Sequence, residues 1–111
     1  MNVYKPLAAI FAVTLASCDS HRSVDAIVAQ IKRNDYSDID KLLIAGDPKQ
    51  VEAIAYASVE ALNDSSFLRL CYVAGVRWNG EHLALAGLAE RMKEPYRTRF
   101  QRFLESLRAS K

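Results

Sequence analysis

Apolar positions recur along this chain at three- and four-residue spacing, in six segments bounded by polar or helix-stopping residues. Ser23 can cap a first helix in which Val24, Ile27, Val28 and Ile31 share one face, and Asn34-Asp35 ends it. Ser37, with Asp40 three residues on, starts a short second helix carrying Ile39, Leu42, Leu43 and Ala45, closed by Gly46. Asp47-Pro48-Lys49-Gln50 is the clearest helix start in the chain, offering an N-cap acceptor, a proline at N1 and a glutamine at N3. The third helix then runs to Leu62, with Val51, Ile54, Ala55, Val59 and Leu62 on one face. Asn63-Asp64-Ser65-Ser66 punctuates; Phe67, Leu70, Cys71 and Ala74 mark a fourth helix, broken by Trp78-Asn79-Gly80. Leu85, Leu88, Ala89 and Met92 define a fifth. Pro95 opens a sixth, whose Tyr96, Phe100, Phe103, Leu104 and Leu107 occupy a narrow arc.

Six helices joined by short connections predict an all-α fold, either a small antiparallel bundle or a short stack of helical hairpins. The stack is suggested by an internal echo. Leu43 to Ala57 can be laid over Tyr72 to Ala86 without a gap, matching Ala45 with Ala74, Gly46 with Gly75, Glu52 with Glu81 and Ala55 with Ala84. Chance matching between alanine-rich helices explains the same echo. The chief local alternative to helix is a strand through Leu68 to Val76, where the apolar run is dense and includes Val73 and Val76.

Composition agrees with one small globular domain over residues 23–111. Half of the 111 residues are apolar and a quarter charged, Gly and Pro are scarce, and Ala and Leu outweigh the β-branched residues, which favours helix.

The N-terminus reads differently. Met1 to Ser17 has a short n-region with Lys5, an apolar run from Leu7 to Leu15, and small residues before a cysteine. That run falls short of the roughly 20 residues needed to cross a hydrocarbon core, and Pro6 opposes a spanning helix. Leu15-Ala16-Ser17-Cys18 resembles the lipobox of bacterial lipoproteins. The resemblance implies that residues 1–17 are a removed signal peptide. It also implies that Cys18 carries diacylglycerol on its thiol and an acyl chain such as palmitate on its amine, and that residues 18–22 are a short tether. Two or more chains anchor a protein stably where one does so only marginally. The implied location is the periplasmic side of a bacterial envelope membrane, and Asp19 resembles the signal that retains enteric lipoproteins at the inner membrane. A thioether at Cys18 leaves Cys71 with no disulfide partner. Within its apolar run Cys71 is expected to be a small buried hydrophobe, with no neighbouring cation or helix start to activate it.

Candidate chemistry is thin. His82 beside Glu81 is the one polar cluster that suggests acid–base work, but adjacent helical residues point apart. Two histidines so placed make no metal site, and no phosphate loop, serine elbow or paired-cysteine motif is present. No enzyme, metal, cofactor beyond the covalent lipid, or small-molecule substrate is expected.

Charge is unevenly distributed. Arg91, Lys93, Arg97, Arg99, Arg102, Arg108 and Lys111 face only Glu94 and Glu105 in the C-terminal stretch. Asp35, Asp38, Asp40, Asp47, Glu52, Glu60 and Asp64 make the preceding part acidic. Arginines flanking the apolar arc of the sixth helix can be edge cover for a core helix, their heads reaching water. That reading is favoured because a small domain needs the aromatic face in its core; the functional alternative is a basic surface for anionic headgroups or an acidic partner. Export argues against nucleic acid.

These features predict a lipid-anchored module that recognises or neutralises another protein. Size, export and anchor resemble immunity and entry-exclusion lipoproteins. The alternative is an accessory subunit of an envelope secretion or transfer assembly. Trp78, Tyr36, Tyr56, Arg97 and Arg99 are the candidate partner contacts, being residue types enriched in binding hot spots. Trp78, beside the Asn79-Gly80 turn, is either a cap on the core or a partner anchor.

Overall fold

The computed structural model describes residues 24–110. The expected signal segment, Cys18, Asp19, the expected tether, Ser23 and Lys111 lie outside the described residues. Among the described residues the chain is all-α, with six helices and no strand.

The first helix, α1, covers residues 24–32 and buries Ile27 and Ile31. It ends where Asn34 takes a left-handed φ of 58°, with Asp35 N–H bonded to Gln30 O and Asn34 N–H to Ile31 O. This pairing closes the last turn, and asparagine tolerates the left-handed conformation because its side chain bonds locally.

The second helix, α2, spans Ser37–Ala45 and buries Ile39 and Leu43. It starts at Ser37 as expected, but without a side-chain cap on its first turn. Asp35 accepts from both the Ser37 hydroxyl (3.0 Å) and its N–H (3.4 Å), and Asp40 is engaged elsewhere. The helix closes at Gly46, whose N–H donates to Leu42 O at 2.7 Å. A Cβ on Gly46 would lie 2.5 Å from that same carbonyl, so only glycine fits.

The third helix, α3, spans Pro48–Glu60 and begins as expected, with a reciprocal capping box between Asp47 and Gln50 and proline at N1. Such a cap contributes about 1 kcal/mol. The apolar face is wider than one stripe. Ala53, Ala57 and Ser58 are buried along with Val51, Ile54, Ala55 and Val59, because other helices surround α3.

The fourth helix, α4, spans Asp64–Tyr72 and continues without a break into a π turn over Val73–Arg77. The supposed punctuation before it is a second capping box, between Asn63 and Ser66. The whole run from Leu68 to Val76 is helical. Leu70, Val73 and Ala74 are fully buried on one side of it, which a helix achieves and an alternating strand would not. Asn79 and Gly80, at φ 52° and 71°, turn the chain.

The fifth helix, α5, spans Ala84–Arg91 and buries Leu85, Leu88 and Ala89. The sixth, α6, spans Tyr96–Ala109 and buries Phe100 and Leu104. Glu94 supplies the cap that Pro95 cannot, accepting from the Thr98 N–H (3.0 Å) and hydroxyl (2.9 Å). Those bonds hold the Glu94 carboxyl below its ordinary value. The Tyr96 hydroxyl donates to Asp64 at 2.6 Å, joining the starts of α6 and α4.

The internal echo does not correspond to equivalent structure. Gly46 ends a helix, whereas Gly75 lies inside the π turn, where a Cβ would come within 3.2 Å of the Phe103 ring. Ala55 is mid-helix in α3 while Ala84 begins α5. Helix α5 packs on α3 and α6 rather than forming a hairpin with α4. The arrangement is a bundle around α3.

Candidate functional site

Two short helices each carry one more large aliphatic residue than their buried arc can hold. In α2, Leu42, Leu43 and Ile44 are consecutive; Leu43 turns inward, Leu42 is half-buried, and Ile44 is left 73% exposed. In α4, Phe67 and Leu70 pack inward while Leu68 remains 66% exposed. Leu43, Ile44, Leu68 and Tyr72 line an open groove between the two helices. Tyr72 and Val76 follow Leu68 at four-residue intervals, so the exposed apolar line continues along the π turn toward Val76, which is also exposed.

One wall of this groove is polar and firmly built. Arg69 grips Asp40 with two prongs, Nε to Oδ1 and Nη2 to Oδ2, both at 3.0 Å, and donates from Nη1 to Ser65 O at 3.3 Å. Its guanidinium lies 3.9 Å from the centroid of the Tyr36 ring. The bond to Asp40 raises the Arg69 pKa against the opposing effect of burial. The groove thus sets an apolar floor beside a fixed polar rim.

Arg77 ties the π turn to α2. The π turn aims its guanidinium at the C-terminus of α2, where Nη1 donates to Leu43 O (2.6 Å) and Leu42 O (3.4 Å) and Nη2 to Gly46 O (2.8 Å). A cation at this end also complements the helix dipole. The extra residue in the turn thus fixes α2 against α4.

The five candidate contacts are dispersed, each engaged by a different neighbour. Tyr36 is a correction: at 9% exposure it belongs to the core, its ring under Arg69 and its hydroxyl donating to Asn63 Oδ1 at 3.3 Å. It supports the groove wall from beneath. Tyr56 is half-buried on α3, with the Arg91 guanidinium 5.8 Å from its ring centroid. Arg97 donates to Met92 O (3.0 Å) and Glu90 O (3.4 Å), covering carbonyls at the end of α5. Arg99 is exposed and lies 5.8 Å from the Tyr96 ring. Trp78 is half-buried, packs against the core and stacks on His82 at 3.9 Å between ring centroids.

His82 is held on three sides. Nδ1 accepts from the Ala84 N–H at 3.0 Å, which starts α5; Nε2 lies 3.8 Å from Glu52; and Trp78 covers the ring. Glu52 of α3 thus places a carboxylate beside the imidazole. The cleft there is lined by Pro48, Lys49, Val51, Glu52, Arg77, Trp78 and His82, a set with no hydroxyl or thiol to serve as nucleophile. Among the described residues no three His, Cys, Asp or Glu gather in a metal-binding group. Cys71 is a partly buried free thiol whose pKa burial pushes up to about 11, so it remains protonated near neutrality.

The residues that sequence reasoning passed over are Ile44 and Leu68. Their signal was available: each directly follows an inward-facing apolar residue, which puts it off the buried arc. Comparison with protein-family models, with curated proteins and with solved structures returned no match.

Proposed function

We propose that this chain is a lipid-anchored, periplasm-facing module that recognises another protein through the apolar groove between α2 and α4. The carrying observation is the pair Ile44 and Leu68, two large aliphatic side chains left mostly exposed on adjoining helices. Covering such a side chain fully stabilises by about 1.5–3 kcal/mol, so a partner that filled the groove would gain most of that from each. Contiguous apolar surface rimmed by polar groups marks interaction sites on small domains. The anchor rests on Leu15-Ala16-Ser17-Cys18. The partner would place apolar side chains between Ile44 and Leu68 and set polar groups against the Asp40–Arg69 rim.

The test is crosslinked affinity capture from native envelopes. Full-length protein is compared with Cys18→Ser and with the double variant Ile44→Asp, Leu68→Asp. Both groove residues are exposed, so the charges leave helicity and melting temperature close to the parent's. One dominant partner, lost in both variants, supports the reading. A partner retained by the double variant removes the groove from it. A captured component of a resident secretion or transfer complex would make the chain an accessory subunit; a toxin or incoming transfer protein would make it a neutralising one.

A further inference from the structure

Helix α6 carries cations that no carboxylate among the described residues neutralises, although Arg99 lies 5.8 Å from the Tyr96 ring. Arg97 covers the end of α5, but Arg99, Arg102 and Arg108 are exposed, and among the described residues none of the three is in an ion pair. Glu105 stands three residues from both Arg102 and Arg108 without pairing to either. The first turn of α6 contains no acidic residue of its own; Glu94, just ahead of it, is taken up by the Thr98 cap and by the charge of Arg97. Exposed and without a carboxylate partner among the described residues, Arg99, Arg102 and Arg108 can meet an external anion.

The outer face between them says which kind. Thr98, Gln101, Glu105 and Ala109 separate the arginines, and none is a large apolar or aromatic side chain. A protein interface needs a desolvated anchor at its centre. A headgroup layer needs only charge, attracting each nearby Lys or Arg without shape complementarity. We infer that the outer face of α6 docks on anionic phospholipid headgroups, Arg102 lying on that face and the long side chains of Arg99 and Arg108 reaching in from its two edges. The inference rests on the envelope location of the proposed function. The acidic residues of α2 and α3 would be repelled from the same surface. Helix α2 shares no extensive interface with α6, so docking would leave the α2–α4 groove open to a partner.

The test removes the anchor first. Full-length Cys18→Ser protein is titrated with phosphatidylcholine vesicles, with and without phosphatidylglycerol. The triple variant Arg99→Gln, Arg102→Gln, Arg108→Gln is titrated in the same background after its helicity and melting temperature are matched to the parent. Expected is preference for the anionic vesicles, weakening with added salt, and about a hundredfold loss in the triple variant, near fivefold per arginine. Equal binding to both vesicles, or a triple variant that binds like its parent, overturns the proposal. So does an acidic protein captured through these arginines when anionic vesicles are not bound. The mass of wild-type Cys18 from native membranes reports the anchor separately. Unacylated Cys18 with vesicle binding intact would refute the anchor alone; acylated Cys18 without vesicle binding would refute the docking alone.

Discussion

Replacing Arg77 by methionine isolates what the π turn does for the fold. Methionine keeps an unbranched stem against the surrounding helices and removes only the guanidinium, with its bonds to Leu43 O and Gly46 O at 2.6 and 2.8 Å and the longer one to Leu42 O. A hydrogen bond to a charged group contributes about 1.5–3 kcal/mol when sheltered. Arg77 is only half-buried, and water can reach part of the vacated site, so about 1 kcal/mol for each short bond is the appropriate share. Loss of a cation from the α2 C-terminus adds about 0.5 kcal/mol. The expected total is about 2.5 kcal/mol, which for a domain of this size lowers the melting temperature by roughly 10–15 °C. Thermal and urea unfolding followed by circular dichroism measure it, with an unchanged urea slope showing that the two-state comparison holds. Arg77→Lys, a point charge without the fork, should recover about half of the loss. A methionine variant melting within about 2 °C of wild type would show that the bonds to α2 contribute nothing net, and the account of the π turn as a clamp would fail.

The Ser58 hydroxyl is buried on α3 and has no hydrogen-bond partner among the described residues, so Ser58→Ala should raise stability by about 1 kcal/mol in urea titration; a loss instead would mean the hydroxyl is satisfied in solution. Cys71 gives a pH dependence. Its pKa is raised from 9.0 to about 11, so the unfolded chain ionises first, and stability should be full below pH 9 and decline as pH rises toward 11. Native-state alkylation at pH 8 should accordingly be slow and become fast in urea, and a rapid native reaction would contradict the burial. Trp78→Ala should cost about 2 kcal/mol of stability, below the 3–5 of a fully buried aromatic, while groove-partner affinity is retained. An unchanged melting temperature with the partner lost would instead make Trp78 an anchor.

Local determinants were readable from the chain, and non-local ones were not. The start of α3 is written in Asp47, Pro48 and Gln50 because a capping box closes within four residues. Asn63 and Ser66 carry the same information and were passed over because serine at N3 is less familiar there than glutamine or glutamate. The inward residues of α6 followed their spacing faithfully, with Phe100 and Leu104 buried. Tyr36 misled because polar Asp35 and Ser37 flank it; its burial is created by Arg69 from a distant helix. The π turn left no sequence signal at all, since the spacing of Gly75 against the Phe103 ring exists only once α6 has docked. Of the candidate site, the apolar residues were visible, but which one each short helix would leave outside depended on how α2 and α4 face each other.

The two capping boxes also bear on the order in which the molecule assembles. Both belong to helices α3 and α4, which follow one another in sequence and share an extensive interface. Each cap is complete without any distant residue, so these helices can start early, and their contact requires closing only a very short loop. Helix α6, by contrast, depends on Phe67 and Asp64 of α4 for its aromatic packing and its tyrosine tether, and can settle only afterwards. In a chevron analysis, Asp47→Ala and Asn63→Ala should therefore slow refolding, whereas Leu104→Ala should chiefly hasten unfolding. For a chain whose proposed workplace lies beyond a membrane, a nucleus held in adjacent residues shortens the interval in which its apolar helices stand uncovered.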